Sequence, residues 1–183
     1  RKAANEKLHL AARVFSHARE GITITDAAGT ILDVNEAFTR ITGYSRDEAI
    51  GQNQRLLRSS RHSDEFYAAM WRDLLDSGNW SGEMWNRRKN GEVFPELLTI
   101  SAVRDAEGRI VQYVALFTDI TAIKEHQDQL EHIAHFDALT SLPNRLLLAD
   151  RLRQAMSQAQ RRNQHVAVAY LDLDGFKAAN DRH

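Results

Sequence analysis

Asp172 and Asp174 stand two residues apart at the end of the apolar run Val166-Ala167-Val168-Ala169-Tyr170-Leu171. Gly175-Phe176-Lys177 follows, and Asn180-Asp181 lies just beyond. Residues two apart in an extended chain share a side, so both carboxylates face the same way. A buried strand that ends in paired acids and a glycine turn can hold a hard cation beside a phosphate chain. Oxygen ligands of this kind suit Mg²⁺. The chemistry such a site can support is attack of a hydroxyl on phosphorus, where the metal lowers the pKa of the hydroxyl and binds the developing charge. Taken alone, Asp-x-Asp after a strand reads first as a turn or a helix cap.

The elements that must position these acids belong to an ordinary globular chain of 183 residues, 43% hydrophobic and 27% charged. That is one large domain, or one domain and part of another. A net charge of -1 provides no global attraction to nucleic acid or to an anionic membrane. With no cysteine there are no disulfides, thiolate metal sites or cysteine nucleophiles, which fits the cytoplasm. No apolar run approaches the roughly 20 residues of a membrane span, and Arg1 to Lys7 has no signal-peptide character. The chain reads as an excised piece of a longer protein.

A helix is expected over residues 4–18, with Leu8, Ala11, Ala12 and Phe15 on one stripe. Alternation then marks a strand at Gly21–Asp26 and, past the turn Asp26-Ala27-Ala28-Gly29, another at Thr30–Asn35. Two short helices follow, the second opening on a capping box of Ser45 and Glu48. Ser63 is the expected N-cap of a longer helix that carries Phe66, Tyr67, Met70, Trp71, Leu74 and Leu75 and stops at Gly78. Three antiparallel strands complete the unit: Trp80–Arg88, Glu92–Arg104 and Ile110–Thr118. Asn90-Gly91 between the first two is the favoured type I′ dipeptide, and Pro95 points to an edge position or a bulge. Residues 119–135 form a polar helix. Ile120, Ile123, Gln127, Leu130 and Ala134 step by 3 and 4 there, either as a short coiled-coil seam or as a solvated linker. A second helix spans residues 145–160, and the apolar strand and acidic turn come last.

Asp137-Ala138-Leu139-Thr140-Ser141-Leu142-Pro143-Asn144-Arg145, with Leu171-Asp172-Leu173-Asp174-Gly175-Phe176-Lys177 and Asn180-Asp181 downstream, resembles the opening of a GGDEF domain. The resemblance covers about a quarter of the chain. It implies a palm-like α/β fold and condensation of two GTP into cyclic di-GMP on metal ions. Carried over by position, Asp172 is implied as a carboxylate ligand of Mg²⁺ and the Leu173 carbonyl as a second ligand. Backbone N–H groups at Gly175 and Phe176 would face phosphate, and Asn180 the guanine edge. The Gly-Gly-Asp/Glu-Glu-Phe hairpin is not in the chain, so the chain alone is expected to be inactive.

Residues 20–121 resemble a PAS domain. The signature lies in Gly21-Ile22-Thr23-Ile24-Thr25-Asp26, Ile31 to Phe38, Ile41-Thr42-Gly43-Tyr44-Ser45, Asn86 to Glu92 and Thr118-Asp119-Ile120-Thr121. The fold class is therefore α+β: a five-stranded antiparallel PAS sheet with flanking helices, then a linker helix and a truncated α/β GGDEF segment. The expected boundaries are 1–19, 20–118, 119–136 and 137–183. The resemblance implies a sensor pocket, dimerisation through the PAS unit and flanking helices, and output through the linker.

A cysteine–flavin photoadduct is excluded, because Gln54 stands where the light-sensing relatives carry cysteine. Haem is disfavoured because the long helix has no histidine, and His62 is expected to be a solvent-facing loop residue. Trp80-Ser81-Gly82 followed by Asn86-Arg87-Arg88-Lys89 is similar to the FAD-binding PAS domains. Trp80 and Asn86, six apart, share a strand face, while Trp85 faces away. By position Glu96 and Thr118 are implied as polar ring contacts, and Asn53 as a contact to the ribityl chain. A flavin, another small ligand, or an empty pocket serving dimerisation all remain open. The function expected is a PAS sensor that regulates a diguanylate cyclase through a dimeric helical linker. The alternative is a non-catalytic PAS module whose degenerate GGDEF partner regulates a downstream phosphodiesterase.

Overall fold

The structure is a computed structural model and describes residues 2–169 and 171. The chain divides into two compact units, Arg1–Glu125 and His126–His183. The first opens with α1 (Lys2–His17), then β1 (Gly21–Asp26) and β2 (Ile31–Val34). Next come α2 (Glu36–Thr42), α3 (Arg46–Ala49), a 3₁₀ turn (Gln54–Leu57) and α4 (Asp64–Ser77). Three strands follow, β3 (Asn79–Arg87), β4 (Val93–Arg104) and β5 (Ile110–Asp119), and then α5 (Thr121–His135), which runs on past Glu125. The strands form one antiparallel sheet in the order β2-β1-β5-β4-β3. This is the five-stranded antiparallel sheet with flanking helices that the sequence implies.

Alternation decides which face is the core. Met84, Leu98, Ile100, Tyr113, Ala115 and Phe117 point inward and are buried with Phe38, Leu57, Met70 and Leu74 from the helices. Several helix ends are satisfied by side chains as expected. The Ser45–Glu48 capping box is present, Ser63 caps α4, and Gly78 ends it in the left-handed region. Asn35 caps α2 through Oδ1, which also accepts from Ile22 N, while its Nδ2 donates to the Phe15 and Glu20 carbonyls. One buried amide thus ties the end of α1 to β1 and α2.

Two expectations about the hairpins are corrected. The β3–β4 turn is not type I′, since Asn90 does not have positive φ; among the described residues only Ser141 and Asn163 do so without being glycine. Gly91 alone takes the left-handed position, at φ 91, with Gly91 N bonded to Arg88 O and Arg88 N to Glu92 O. This is a type I turn closed by a glycine bulge, and the β1–β2 and β4–β5 turns repeat it at Gly29 and Gly108. Pro95 lies at neither an edge nor a bulge, because β4 is interior and stays in register there. Its missing N–H is harmless because Pro95 lies one residue past the last β4–β5 pair, Glu96 with Asp119. There the Pro95 carbonyl accepts Ile120 N at 3.0 Å as the chain turns into α5.

On α5, Ile123 and Leu130 are exposed, whereas Ile120 precedes the helix and is buried, outside any exposed seam. In the second unit Asn144 caps α6 (Arg145–Arg162), accepting from Leu146 N and Leu147 N. Asp137 Oδ1 closes the preceding turn by accepting from Leu139 N and from the N–H and hydroxyl of Thr140. Residues 164–169 carry no regular structure, and Val166 and Val168 are exposed, so the expected buried strand does not form there. Among the described residues no neighbouring strand offers a ladder to pair with, and an unpaired backbone stays in water.

Candidate functional site

Between the inner face of the sheet and α4 lies a cavity of about 360 Å³, within the roughly 300–1,000 Å³ usual for small-molecule sites. Thr25, Met84, Asn86, Leu98, Ile100, Tyr113 and Ala115 supply the sheet wall. Tyr67, Met70 and Trp71 supply the helix wall, and Asn53, Arg55, Arg58 and Asp64 the rim.

Asn86 is 7% exposed, and its Nδ2 donates to Glu96 Oε1 at 2.8 Å. Glu96 is 1% exposed, and burial pushes its pKa up to about 8, so it is largely protonated at neutral pH. The Asn86 hydrogen bond works against that rise, the Asp119 charge adds to it, and Arg88 opposes it. The Tyr67 hydroxyl is buried without a hydrogen-bond partner, and burial raises its pKa too. The Arg58 guanidinium lies 4.1 Å over the Tyr67 ring and pairs with Asp64. Asn53 caps the 3₁₀ turn through Arg55 N and donates to Ala28 O at 3.2 Å.

Asn53 and Asn86 thus line the cavity together. Glu96 lies behind Asn86, outside the lining. Trp80 shares the inner face of β3 but packs edge-on to Phe66, with ring centroids 6.3 Å apart. Its ring also lies where a Cβ on Gly82 would fall, 2.8 Å from Trp80 Cζ2. Thr118 alternates with the inward-facing Phe117 and therefore lies on the sheet face opposite the cavity. Trp85 faces away from Trp80, beneath the Arg61 guanidinium at 4.1 Å. Tyr67, Arg58, Met84 and Tyr113 also line the cavity, though no motif in the sequence marks them. The signal lay in the α4 stripe and in the period of two through Met84 and Asn86.

His62 is not a solvent-facing loop residue. Its ring stacks on Phe66 at a centroid distance of 4.0 Å, and Nε2 accepts the Trp85 N–H at 2.9 Å. It is not among the residues of the cavity wall. Among the described residues no histidine stands in the cavity wall to serve as an axial haem ligand. The unpartnered Tyr67 hydroxyl and the Asn86 amide border an apolar slot formed by Met70, Met84, Leu98 and Ile100. Asp172, Leu173, Gly175, Phe176 and Asn180, which the GGDEF resemblance implies as metal and nucleotide positions, lie outside the described residues. Among the described residues no group of His, Asp or Glu is arranged to hold a metal.

A sheet-and-helix cavity that leads through β5 into an outgoing helix defines a sensor-type α+β domain. The PAS domain model matches residues 19–122, and the diguanylate cyclase GGDEF domain model matches residues 134–183. The chain belongs to the PAS domain family, with a GGDEF segment following. It is 33% identical over 139 residues to a nitrogen fixation regulatory protein of Klebsiella oxytoca, covering 75% of this chain and 28% of that protein. It is 32% identical over 179 residues to the cyclic di-GMP phosphodiesterase PdeR of Escherichia coli K12, covering 96% of this chain and 26% of that protein. The chain therefore spans little more than a quarter of the length of either relative. A solved RNA-binding light-oxygen-voltage receptor superposes with a TM-score of 0.60 at 28% identity, covering 69% of this chain and 36% of that one.

Proposed function

We propose that this chain is the sensory PAS module, linker helix and opening GGDEF segment of a cyclic di-GMP signalling protein. The observation that carries it is the ligand-sized cavity whose β5 wall runs directly into α5, ahead of the matched GGDEF segment. The PAS unit (20–118) senses, the helix at 119–136 transmits within a homodimer, and residues 137–183 begin the GTP-binding domain. The cavity takes FAD or another flavin, with Asn86, Tyr67 and Asn53 as its polar contacts. When bound, the flavin supplies a redox-active ring. The chain orients that ring by hydrogen bonds and keeps water from it by the methionine and leucine walls. In the complete protein Asp172 and the Leu173 carbonyl hold Mg²⁺, the backbone at Gly175 and Phe176 faces phosphate, and Asn180 reads guanine. The site of action is the cytoplasm, which fits the absence of cysteine and of any membrane-spanning helix among the described residues.

Two measurements test this. Purified protein should show a flavin absorption band, and the complete protein should convert GTP to cyclic di-GMP with Mg²⁺, at a rate that changes with the redox state of that chromophore. Asp172→Ala should abolish turnover, and undiminished turnover refutes its role as a metal ligand. The likeness to PdeR over nearly the whole chain favours a second reading, in which the GGDEF domain is non-catalytic and regulates a phosphodiesterase. An intact Gly-Gly-Asp/Glu-Glu-Phe motif with turnover supports the first reading. A broken motif with hydrolysis of cyclic di-GMP supports the second.

A further inference from the structure

Glu96 touches both the cavity wall and the root of the outgoing helix. Oε1 accepts from Asn86, whose amide belongs to the wall, and the buried Oε2 has no partner. Across the β4–β5 ladder, Glu96 is the direct partner of Asp119. Asp119 Oδ1 receives the Thr121 N–H at 2.9 Å and the Thr121 hydroxyl at 2.6 Å, which holds the first turn of α5. Asp119 Oδ2 receives Arg88 at 2.6 Å. The charged and titratable groups facing Glu96 are Asp119 from β5, Arg88 from the β3–β4 turn and Tyr67 from α4.

We propose that Glu96 is a proton switch connecting the cavity to α5. Protonated, Glu96 leaves Asp119 as the carboxylate that engages Arg88. Ionised by loss of its proton to water, it places a second negative charge beside Asp119, competes for Arg88 and loosens the hold of Asp119 on Thr121. Asn86 sets the bias, because its N–H supports the ionised form. A ligand acceptor such as a ring carbonyl that turns the Asn86 amide off Glu96 keeps Glu96 protonated. A ligand that donates to Asn86 Oδ1 leaves the N–H on Glu96 and favours ionisation. The coupling is reciprocal, so pH must also alter affinity for such ligands. This deepens the sensor reading by naming how the cavity is read out.

The test is a pH titration of the labelled 183-residue chain, following the Glu96 side-chain carboxyl and the Thr121 amide by NMR. The two signals should share one midpoint. Glu96→Gln should remove the Thr121 transition, and Asn86→Leu should move its midpoint to higher pH. The proposal is overturned by a Thr121 amide that ignores Glu96 ionisation, by a transition that survives Glu96→Gln, or by a midpoint indifferent to Asn86→Leu. A Glu96 carboxyl that keeps one protonation state throughout overturns it as well. The wild-type co-titration needs no variant, so a substitution that fails to fold leaves the test intact. Neither flavin nor GTP takes part, so failure here is distinct from failure of the chromophore or turnover measurements.

Discussion

His62 closes the open edge of β3 by accepting the Trp85 N–H on Nε2 at 2.9 Å, while Ser59 Oγ donates to the Trp85 carbonyl beside it. Trp85 stands opposite Pro95 in the β3–β4 ladder, with its backbone polar groups directed outward. An uncovered edge is a template for pairing with another chain. The loop before α4 therefore protects the sheet as well as connecting it.

Acceptance by Nε2 requires a neutral ring, and burial holds the His62 pKa below its ordinary value of 6.5. The unfolded chain takes up its proton first, so this contribution to stability is fully present above pH 6.5 and declines as pH falls from there through the lower folded value. His62→Ala should cost about 1 kcal/mol at neutral pH and flatten that acid slope. Urea unfolding over a pH series measures both, and an unchanged slope would remove His62 as its source.

Gly21 lies against the buried Phe117 ring, and a Cβ at that position would come within 2.2 Å of Phe117 Cζ. Phe117 is itself set edge-on to Phe38, with centroids 6.0 Å apart, so it cannot retreat freely. Gly21→Ala should destabilise by about 1–3 kcal/mol. Phe117→Leu should recover part of that loss in the double variant. Additive losses in a thermal or urea cycle would show that the two residues are not in steric conflict.

What could be read from the sequence was what depends on near neighbours. The period of two through Trp80 and Asn86, the Ser45–Glu48 box and the Ser63 cap are local patterns, and they produce the elements they imply. What could not be read depends on partners far along the chain. Nothing local to His62 reveals that Trp85 will bring its N–H to the ring, and nothing local to Pro95 reveals that β5 ends just short of it. Thr118 follows the inward-facing Phe117, and with a side-chain period of two it takes the face opposite the cavity. Val166 to Leu171 has the composition of a buried strand, yet composition cannot supply the strands it must pair with.

The β3–β4 turn separates two neighbouring residues that the type I′ expectation treats alike. Gly91 has φ 91 and open space where a side chain would go, so Gly91→Ala meets backbone strain and no clash. It should cost about 1 kcal/mol. Asn90 does not have positive φ, and its visible contribution is the Oδ1 bond to Glu92 N at 3.0 Å. Asn90→Ala should cost less than Gly91→Ala. Equal losses in unfolding free energy would instead support the type I′ geometry.

Glu96 makes the folded chain lose stability as pH rises toward 8. Its folded pKa is pushed up to about 8 by burial, against an ordinary value of 4.5. From pH 4.5 upward the unfolded chain loses this proton while the folded chain keeps it. Stability is therefore full below that range and falls by at most about 1.4 kcal/mol per pH unit until the folded value is reached. Glu96→Gln retains an acceptor for Asn86 and cannot ionise. It should flatten the decline between pH 5 and 8 and leave the acid side unchanged, as chemical denaturation over that range would show.

Arg88 holds together the end of the sheet from which α5 departs. Its side chain is 15% exposed, lies 4.1 Å over the Phe94 ring, bonds the Ile41 carbonyl at the end of α2 and pairs with Asp119 and Glu92. Burial raises the Asp119 pKa, but the Thr121 and Arg88 hydrogen bonds outweigh it and the net shift is downward. The resulting stability is present above the ordinary value of 3.8 and is lost as pH falls through the lower folded value. Arg88→Met should cost about 2 kcal/mol at neutral pH and reduce that loss in acid, because Asp119 is then held less firmly in its charged form. Arg88→Lys keeps the charge and lacks the planar fork that reaches Ile41 and Asp119 at once, so it should recover only part of the difference. Hydrogen exchange at the first turn of α5 should speed up in both variants, more in Arg88→Met. Exchange there at the wild-type rate would mean that Asp119 holds Thr121 without help from Arg88.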